Sequence, residues 1–418
     1  MASNCRLFAP IRVHIAAVLI SVGSAVPLFS NQASTTSTDL QIYLQTYSPG
    51  QGLEAMFGHS ALRITDIENG RDSIYNFGAY DFDDPLFFYR LLTGTELRFS
   101  LSVRPAEVVL NEYLETGRSV KEQLLNLDQK QSVQLLEYLQ SEARPENREY
   151  RYDFLERNCS TRIRELIESV TADALLVSSS ATGVSEHDTG GPPITAPLTL
   201  REHLHEYLHD HPWVRLGIDT VLDGGLDTPV DVREAAYLPE GLYEWAARAR
   251  IEGNTGPQPF VSAERMLFPP AEMISGDTPL PFILTPIFVV TALTILYGIA
   301  ILRCIRRRRY CPSLPFIAFL HSGIVGLFLV VVQFGSGWGH CNWILLLMYP
   351  TDLVAAAALS ATPRAKTLRS YALSTAGISA LTLLALPIIP QYINPALIPL
   401  ILAQVAGKGY LFQSQRLH

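Results

Sequence analysis

Cysteine is scarce in the part of the chain where pairing would be expected. Between residues 39 and 280 there is a single one, Cys159. Charge is scarce as well: 17% of the 418 residues are Asp, Glu, Lys or Arg, and the basic ones are outnumbered 32 to 40. The resulting formal charge of -8 leaves no basic stripe of the kind that displaces counterions from a duplex, so nucleic acid is excluded as a partner. No internal repeat is present. What the chain has in abundance is apolar surface, 48% of its residues, with a positive mean hydropathy. That balance points to lipid.

The apolar residues are concentrated at the two ends. "CRLFAPIRVHIAAVLISVGSAVPLFS" places Arg6 and Arg12 before an apolar run from Ile15 to Leu28, with Gly23 and Ala25 as small residues for cleavage. Residues 1–30 therefore read as a signal peptide or an uncleaved signal anchor, which makes the next part of the chain an exported one. Cys5 precedes the run and is not placed as a lipoprotein-anchoring cysteine would be. At the other end, runs at 281–302, 314–333, 341–360, 371–389 and 394–407 predict a helical membrane domain of about five spans over 281–410. The fifth run is shorter and bounded by proline. Arg303 and Arg306 to Arg309 follow the first run, and Arg364, Lys366 and Arg369 the third. Held on the inner side, both clusters put residues before Leu280 and the loop "QFGSGWGHCNW" outside.

The exported segment reads as α+β. "LQIYLQTYSPGQG" alternates as a strand, and two further alternating runs flank Asn69-Gly70, a hairpin signal. On the first of these, Ser60, Leu62 and Ile64 share one face and His59, Ala61 and Arg63 the other. Helices are expected over "RPAEVVLNEYLETG" and after Asp128. In "NCSTRIRELIESV", Cys159, Ile163, Leu166, Ile167 and Val170 fall on one helical stripe, so the cysteine stands at a helix N-terminus, where partial positive charge favours a thiolate. An exported lone thiol is a small buried hydrophobe, a disulfide partner of Cys341, or a nucleophile. A strand-borne histidine and a helix-N-terminal cysteine are the two halves of a papain-like dyad.

"SPGQGLEAMFGHSALRI", "YNFGAYDF", "GRSVKEQLLNL", "PENREYRYDFLERNCSTRIRELI", "HPWVRLGID" and "YLPEGL" resemble the bacterial Lnb family, over most of residues 40–250. The membrane half resembles it more loosely, mainly in "HCNWILLLMYP". The family's members are lipoprotein N-acyltransferases with an exported domain akin to NlpC-type peptidases. The resemblance implies a permuted papain-like domain over 39–174, with the histidine before the cysteine as in the lecithin:retinol acyltransferase group. It places the histidine at His59 and the cysteine at Cys159. For an orienting third residue, a two-residue turn at Asn69-Gly70 would put Tyr80 across from His59, whereas a bulge near Gly78 would bring Asn76 closer; Asn76 is the residue assigned. The implied reaction passes an acyl chain from a phospholipid through a Cys159 thioester to the α-amine of a diacylated lipoprotein. No cofactor is implied. The site would face the outer leaflet of the bacterial inner membrane, with "GWGHCNW" as a floor and His340 and Asn342 lining it. Both residues also read as interfacial polar groups beside Trp338 and Trp343 in an aromatic belt.

His205-Glu206-Tyr207-Leu208-His209 spells H-E-x-x-H, the zinc-protease phrase. Thr199 and Glu202 form a capping box, so residues 200–209 read as a helix carrying both histidines on one face. A zinc site needs a third ligand, and the metzincin continuation fails at Pro212 and Arg215. A solvated, His-rich helix face is the favoured reading, and no metal is assigned. Residues 175–197 have linker composition, and 198–280 read as a helical extension packing on the catalytic domain. Two other readings compete with acyl transfer: a cysteine amidase or peptidase acting on peptidoglycan, and a non-catalytic lipid-binding scaffold.

Overall fold

The computed structural model describes residues 40–413 apart from 51, 53–54, 81–83, 94, 96, 178–197, 254, 271–279, 336–341 and 362–365. Residues 1–30, expected to be a signal peptide or anchor, and most of 175–197, expected to be a linker, lie outside the described residues. The N-terminal part is a mixed α/β unit. It runs β1 (Leu40–Tyr47), β2 (His59–Asp66), β3 (Arg71–Ala79), α1 (Phe87–Thr93), β4 (Arg98–Pro105), α2 (Ala106–Glu115), β5 (Val120–Leu125), α3 (Gln129–Glu142), β6 (Glu149–Arg151) and α4 (Cys159–Thr171). After β7 (Leu175–Leu176) come α5 (Leu200–Tyr207), α6 (Pro212–Val221), α7 (Val232–Ala235), α8 (Pro239–Arg248), β8 (Arg250–Gly253), β9 (Gly256–Pro259) and β10 (Val261–Phe268).

Seven strands form one antiparallel sheet in the order β10-β5-β1-β2-β3-β4-β6. Alternation along β1 to β3 builds two cores. Ile42, Leu44, Leu62, Ile64, Tyr75 and Phe77 face α3, α4 and α8. Tyr47, Ala61, Ile74 and Val120 face Ala106 and Val109 of α2. Both faces are thus covered, and the ends of the strands are where polar side chains can meet. The helices begin where expected: Asp128 caps α3 and Thr199 caps α5, each through a reciprocal capping box. The extension departs from the helical reading beyond Arg248. Its last strand, β10, joins the main sheet beside β5, so this segment completes the sheet as well as covering it.

The C-terminal part is helical: α9 (Pro286–Arg306), α10 (Ser313–Gly335), α11 (Asp352–Ala361), α12 (Lys366–Leu384) and α13 (Leu397–Gln413). Among the described residues, α9 and α10 are the two helices long and apolar enough to cross a membrane, against the five spans expected. At 21 residues, α9 reaches about 32 Å at 1.5 Å per residue. The third apolar run is not one helix. A 3-10 turn over Trp343–Leu346 precedes Pro350, which disfavours helix before it, and α11 starts only at Asp352. In α12, Ser370, Ser374, Thr375, Ser379 and Thr382 dilute the apolar run. Cys304 and Cys311 are joined by a disulfide, and Cys159 is free.

The two parts touch along one end. Helix α1 packs against α10, and α6 against α9. Trp213 Nε1 donates to Leu284 O at 2.9 Å. Asn342 Nδ2 donates to Thr220 O at 2.9 Å and Val221 O at 3.2 Å, and Tyr392 N to Asp227 Oδ2 at 3.0 Å.

Candidate active site

Position 159 opens α4 because Asn158 caps it. The Asn158 carboxamide oxygen accepts from Ser160 N at 2.8 Å and Thr161 N at 3.0 Å, while its Nδ2 donates to Phe154 O and Tyr237 O. The cap is buried, so the start of the helix is held from both sides. Ile163, Leu166 and Ile167 anchor α4 on the face of the sheet that carries Leu62 and Ile64. Its first turn reaches the end of the sheet where β2 begins, and there Ser160 Oγ meets Ser60 Oγ at 3.2 Å.

His59, the first residue of β2, belongs by alternation to the opposite face. Its ring stacks on Tyr47 at 5.9 Å, and Tyr47 stacks in turn on Tyr113 of α2 at 3.9 Å. Asn76 lies on that same face of β3. The hairpin turn spans four residues, 67–70, with Asp66 opposite Arg71, and Asp66 accepts from Asn69 N at 3.0 Å. This register, two residues away from the simple turn at Asn69-Gly70, continues to place Gly78 rather than Tyr80 across from His59. A bulge between Phe77 and Ala79 on the β4 side marks the same spot. His59 Nε2 then donates to Asn76 Oδ1 at 2.6 Å. A carboxamide oxygen can only accept, so Nε2 carries the proton and Nδ1 is left as the nitrogen for the sulfur.

The Cys159 thiol is hydrogen-bonded to His59, to the Ser60 N–H and to the Ser160 hydroxyl. Burial alone would push this thiol up. The adjacent imidazolium, with the bonds from His59, Ser60 and Ser160, outweighs it and holds the thiol below its ordinary range. Burial likewise pulls His59 down, but the facing thiolate and the bond to Asn76 lift it above an ordinary imidazole. The directions are complementary, as a thiolate–imidazolium pair requires. Both side chains are half-buried, so the pair stays reachable. Two cavities are lined by neighbours of the pair rather than by the pair itself: one of about 240 Å³ between Asn76, Arg104, Tyr113 and Arg118, and one of about 270 Å³ between Tyr47, Gly58, Phe57, Tyr207 and Pro239.

The structure therefore brings together His59, Asn76 and Cys159. It does not bring Asn342 to them. That side chain is buried, with Nδ2 on Thr220 O and Val221 O, and Oδ1 accepting from Ile344 N at 3.0 Å and Gln391 Nε2 at 3.3 Å. These partners leave its amide joining α6 to the membrane domain rather than lining a floor. His340 lies outside the described residues. The H-E-x-x-H histidines have separate partners. His205 Nε2 meets the buried Asp219 Oδ1 at 2.7 Å and its Nδ1 meets Arg215 at 3.0 Å, while the exposed His209 turns to Asp210. His205 is thus not on a solvated face; Asp219 draws it into a buried charge cluster with Arg201 and Asn394. Sequence reading missed Asn158, Ser60 and Tyr47, whereas the bulge near Gly78 was among its expectations. Asn158 alone left a legible signal, an Asn followed three residues later by Thr161 at the start of an apolar stripe.

Two family models match the chain: the Lnb N-terminal periplasmic domain over residues 30–205 and the Lnb transmembrane domain over residues 278–414. No curated protein and no solved structure was found to match. The matches cover both halves in the right order, one periplasmic and one in the membrane, and the chain belongs to the Lnb family.

Proposed function

We propose that the chain is a membrane-bound, cysteine-dependent lipoprotein N-acyltransferase of the inner membrane, with a permuted papain-like catalytic domain over 39–174 facing the periplasm. The observation that carries this reading is the relay Asn76–His59–Cys159 at the N-terminus of α4, with the proton on Nε2 and a lowered thiol. Asn76 holds the imidazole in the tautomer that presents Nδ1 to the sulfur. The thiolate attacks the ester carbonyl of a phospholipid; the C–S bond forms, the C–O bond breaks, and the imidazolium proton goes to the departing lysophospholipid oxygen. The α-amine of a diacylated lipoprotein then attacks the thioester. His59 takes the amine proton as the C–N bond forms and the C–S bond breaks, restoring the thiolate. Two half-reactions through one covalent intermediate give ping-pong kinetics.

The position of the relay supports lipid substrates over a soluble peptide. It sits at the end of the sheet where β2 begins and β3 ends, and α1, which follows β3, packs on α10. Leu86 and Tyr89 at α1, and Phe282 and Ile283 before α9, are exposed apolar side chains on the segments that join the two parts. Pulling an acyl chain wholly into water costs about 0.8 kcal/mol per methylene, so a site at the bilayer surface avoids extraction. We assign all five helices α9 to α13 to the membrane domain, in which α11, at 10 residues or about 15 Å, enters the bundle without spanning it alone. The deciding experiment uses the full chain in membranes with a labelled phospholipid. A hydroxylamine-labile acyl group should map to Cys159 and be absent in C159A. Lipoprotein N-acylation that continues unchanged in C159A would overturn the reading, and release of wall fragments in its place would favour a peptidoglycan hydrolase.

A further inference from the structure

Beyond Asp277 the sequence contains one acidic side chain, Asp352, against a series of basic ones. Asp352 is already occupied. Lys408 Nζ lies 2.6 Å from its Oδ2, and the Tyr371 hydroxyl donates to its Oδ1 at 2.7 Å. Arg369 is left on α12 with only 8% of its surface exposed, and its Nε and Nη1 are buried with no hydrogen-bond partner among the described residues. A buried guanidinium without a counter-ion is unfavourable by several kcal/mol. Among the described residues, no carboxylate pairs with it.

A second unpartnered group lies beside it. The Tyr310 hydroxyl is buried without a partner among the described residues, and the ring packs on the cluster containing Leu368 and Tyr371. The charge of Arg369 acts on that phenol. Tyr310 also stacks on Tyr410 at 6.0 Å, and Tyr410 pins the α9–α10 turn by accepting from Cys311 N at 2.9 Å and donating to Arg309 O at 3.1 Å. That turn carries exposed Arg306 to Arg309. A planar fork, a hydroxyl donor and a ring of further cations together match a phosphate group.

We propose that Arg369 and Tyr310, under the arginine turn, form a binding site for the phosphate of an anionic phospholipid at the basic end of the membrane domain, remote from Cys159. Basic pockets between membrane helices on the inner side take lipid headgroups in this way. The arginines draw the anion in, and Arg369 with Tyr310 hold it by hydrogen bonds.

The test is native mass spectrometry of the full chain released from micelles holding equal phosphatidylglycerol and phosphatidylcholine. The wild type should retain phosphatidylglycerol preferentially. R369Q should reduce that retention by about tenfold or more, the loss of a charge-assisted hydrogen bond. Y310F should reduce it in part, and R369K should fall between wild type and R369Q; these two carry the test if R369Q does not fold. Displacement of the lipid by millimolar inorganic phosphate would support the phosphate site and assign free phosphate as its occupant. Equal retention of both lipids by the wild type, or unchanged selectivity in all three variants, would overturn the proposal.

Discussion

Gly78 stands so close to His59 that a Cβ added to it would fall 2.6 Å from the imidazole Cε1, and 3.0 Å from the Asn76 oxygen. The backbone of β3 itself forms the wall against which the histidine and its orienting amide are set. The bulge at this residue gives the wall its shape.

G78A should therefore fold and fail. The added methyl has to displace the imidazole or Asn76, and turnover should drop while the melting temperature falls little. G70A makes the opposite control: its φ of +61 is strained for alanine but nothing lies within 4 Å, so it should cost about 1–2 kcal/mol and leave turnover intact. Equal activity loss in the two variants would contradict this account.

On the proposed mechanism Asn76→Ala should lower kcat with little change in KM, because the amide bonds the imidazole at Nε2, the nitrogen away from the sulfur. The general base contributes about 10²–10⁴-fold, which bounds the loss. Asn76→Asp keeps an acceptor for the Nε2 proton and should recover part of it. Steady-state acyl transfer by both variants provides the measurement.

The pH dependence follows from the opposite directions of the two shifts. Cys159 is held low and His59 high, so the thiolate–imidazolium form fills the interval between their values. Turnover should lose its acid limb as the thiolate takes a proton and its alkaline limb as the imidazolium gives one up, a bell whose limbs belong to the pair. In H59Q, burial is no longer offset by the histidine, and alkylation of Cys159 by iodoacetamide at neutral pH should slow by about tenfold or more. An alkylation profile identical to the wild type would remove the basis for the pair.

The H-E-x-x-H helix should behave as structure. D219A removes the buried acceptor shared by Arg201, His205 and Asn394 while Arg201 keeps its pair with Asp227 at 2.7 Å, and should destabilise by about 1–3 kcal/mol in chemical unfolding. H209A, at an exposed side chain, should stay within about 0.5 kcal/mol of wild type. A zinc chelator should leave acyl transfer unchanged; inhibition reversed by zinc would reinstate a metal site.

Local signals carried a good part of the molecule. The alternation of β1 to β3, the Asp128 and Thr199 caps and the apolar stripe behind Cys159 are short-range patterns, and each element formed where its pattern lay. Hydropathy marked the membrane half but not its helices. Apolar composition does not distinguish a continuous helix from a 3-10 turn broken by Pro350, and serine-rich α12 depends on neighbours that a window average does not see.

The sequence by itself determined which residues could do chemistry: a lone thiol at a helix start and a histidine at a strand start, each set by residue type and local period. Only the tertiary structure decided that they meet, because α4 lies on one face of the sheet and His59 points to the other. The sulfur reaches the ring at the start of β2, and a register two residues removed from the simple turn sets Asn76 behind it. Register, side-chain pairing and the fate of buried charges such as Asp219 and Arg369 arise from contacts between residues far apart in the chain, and no local pattern encodes them.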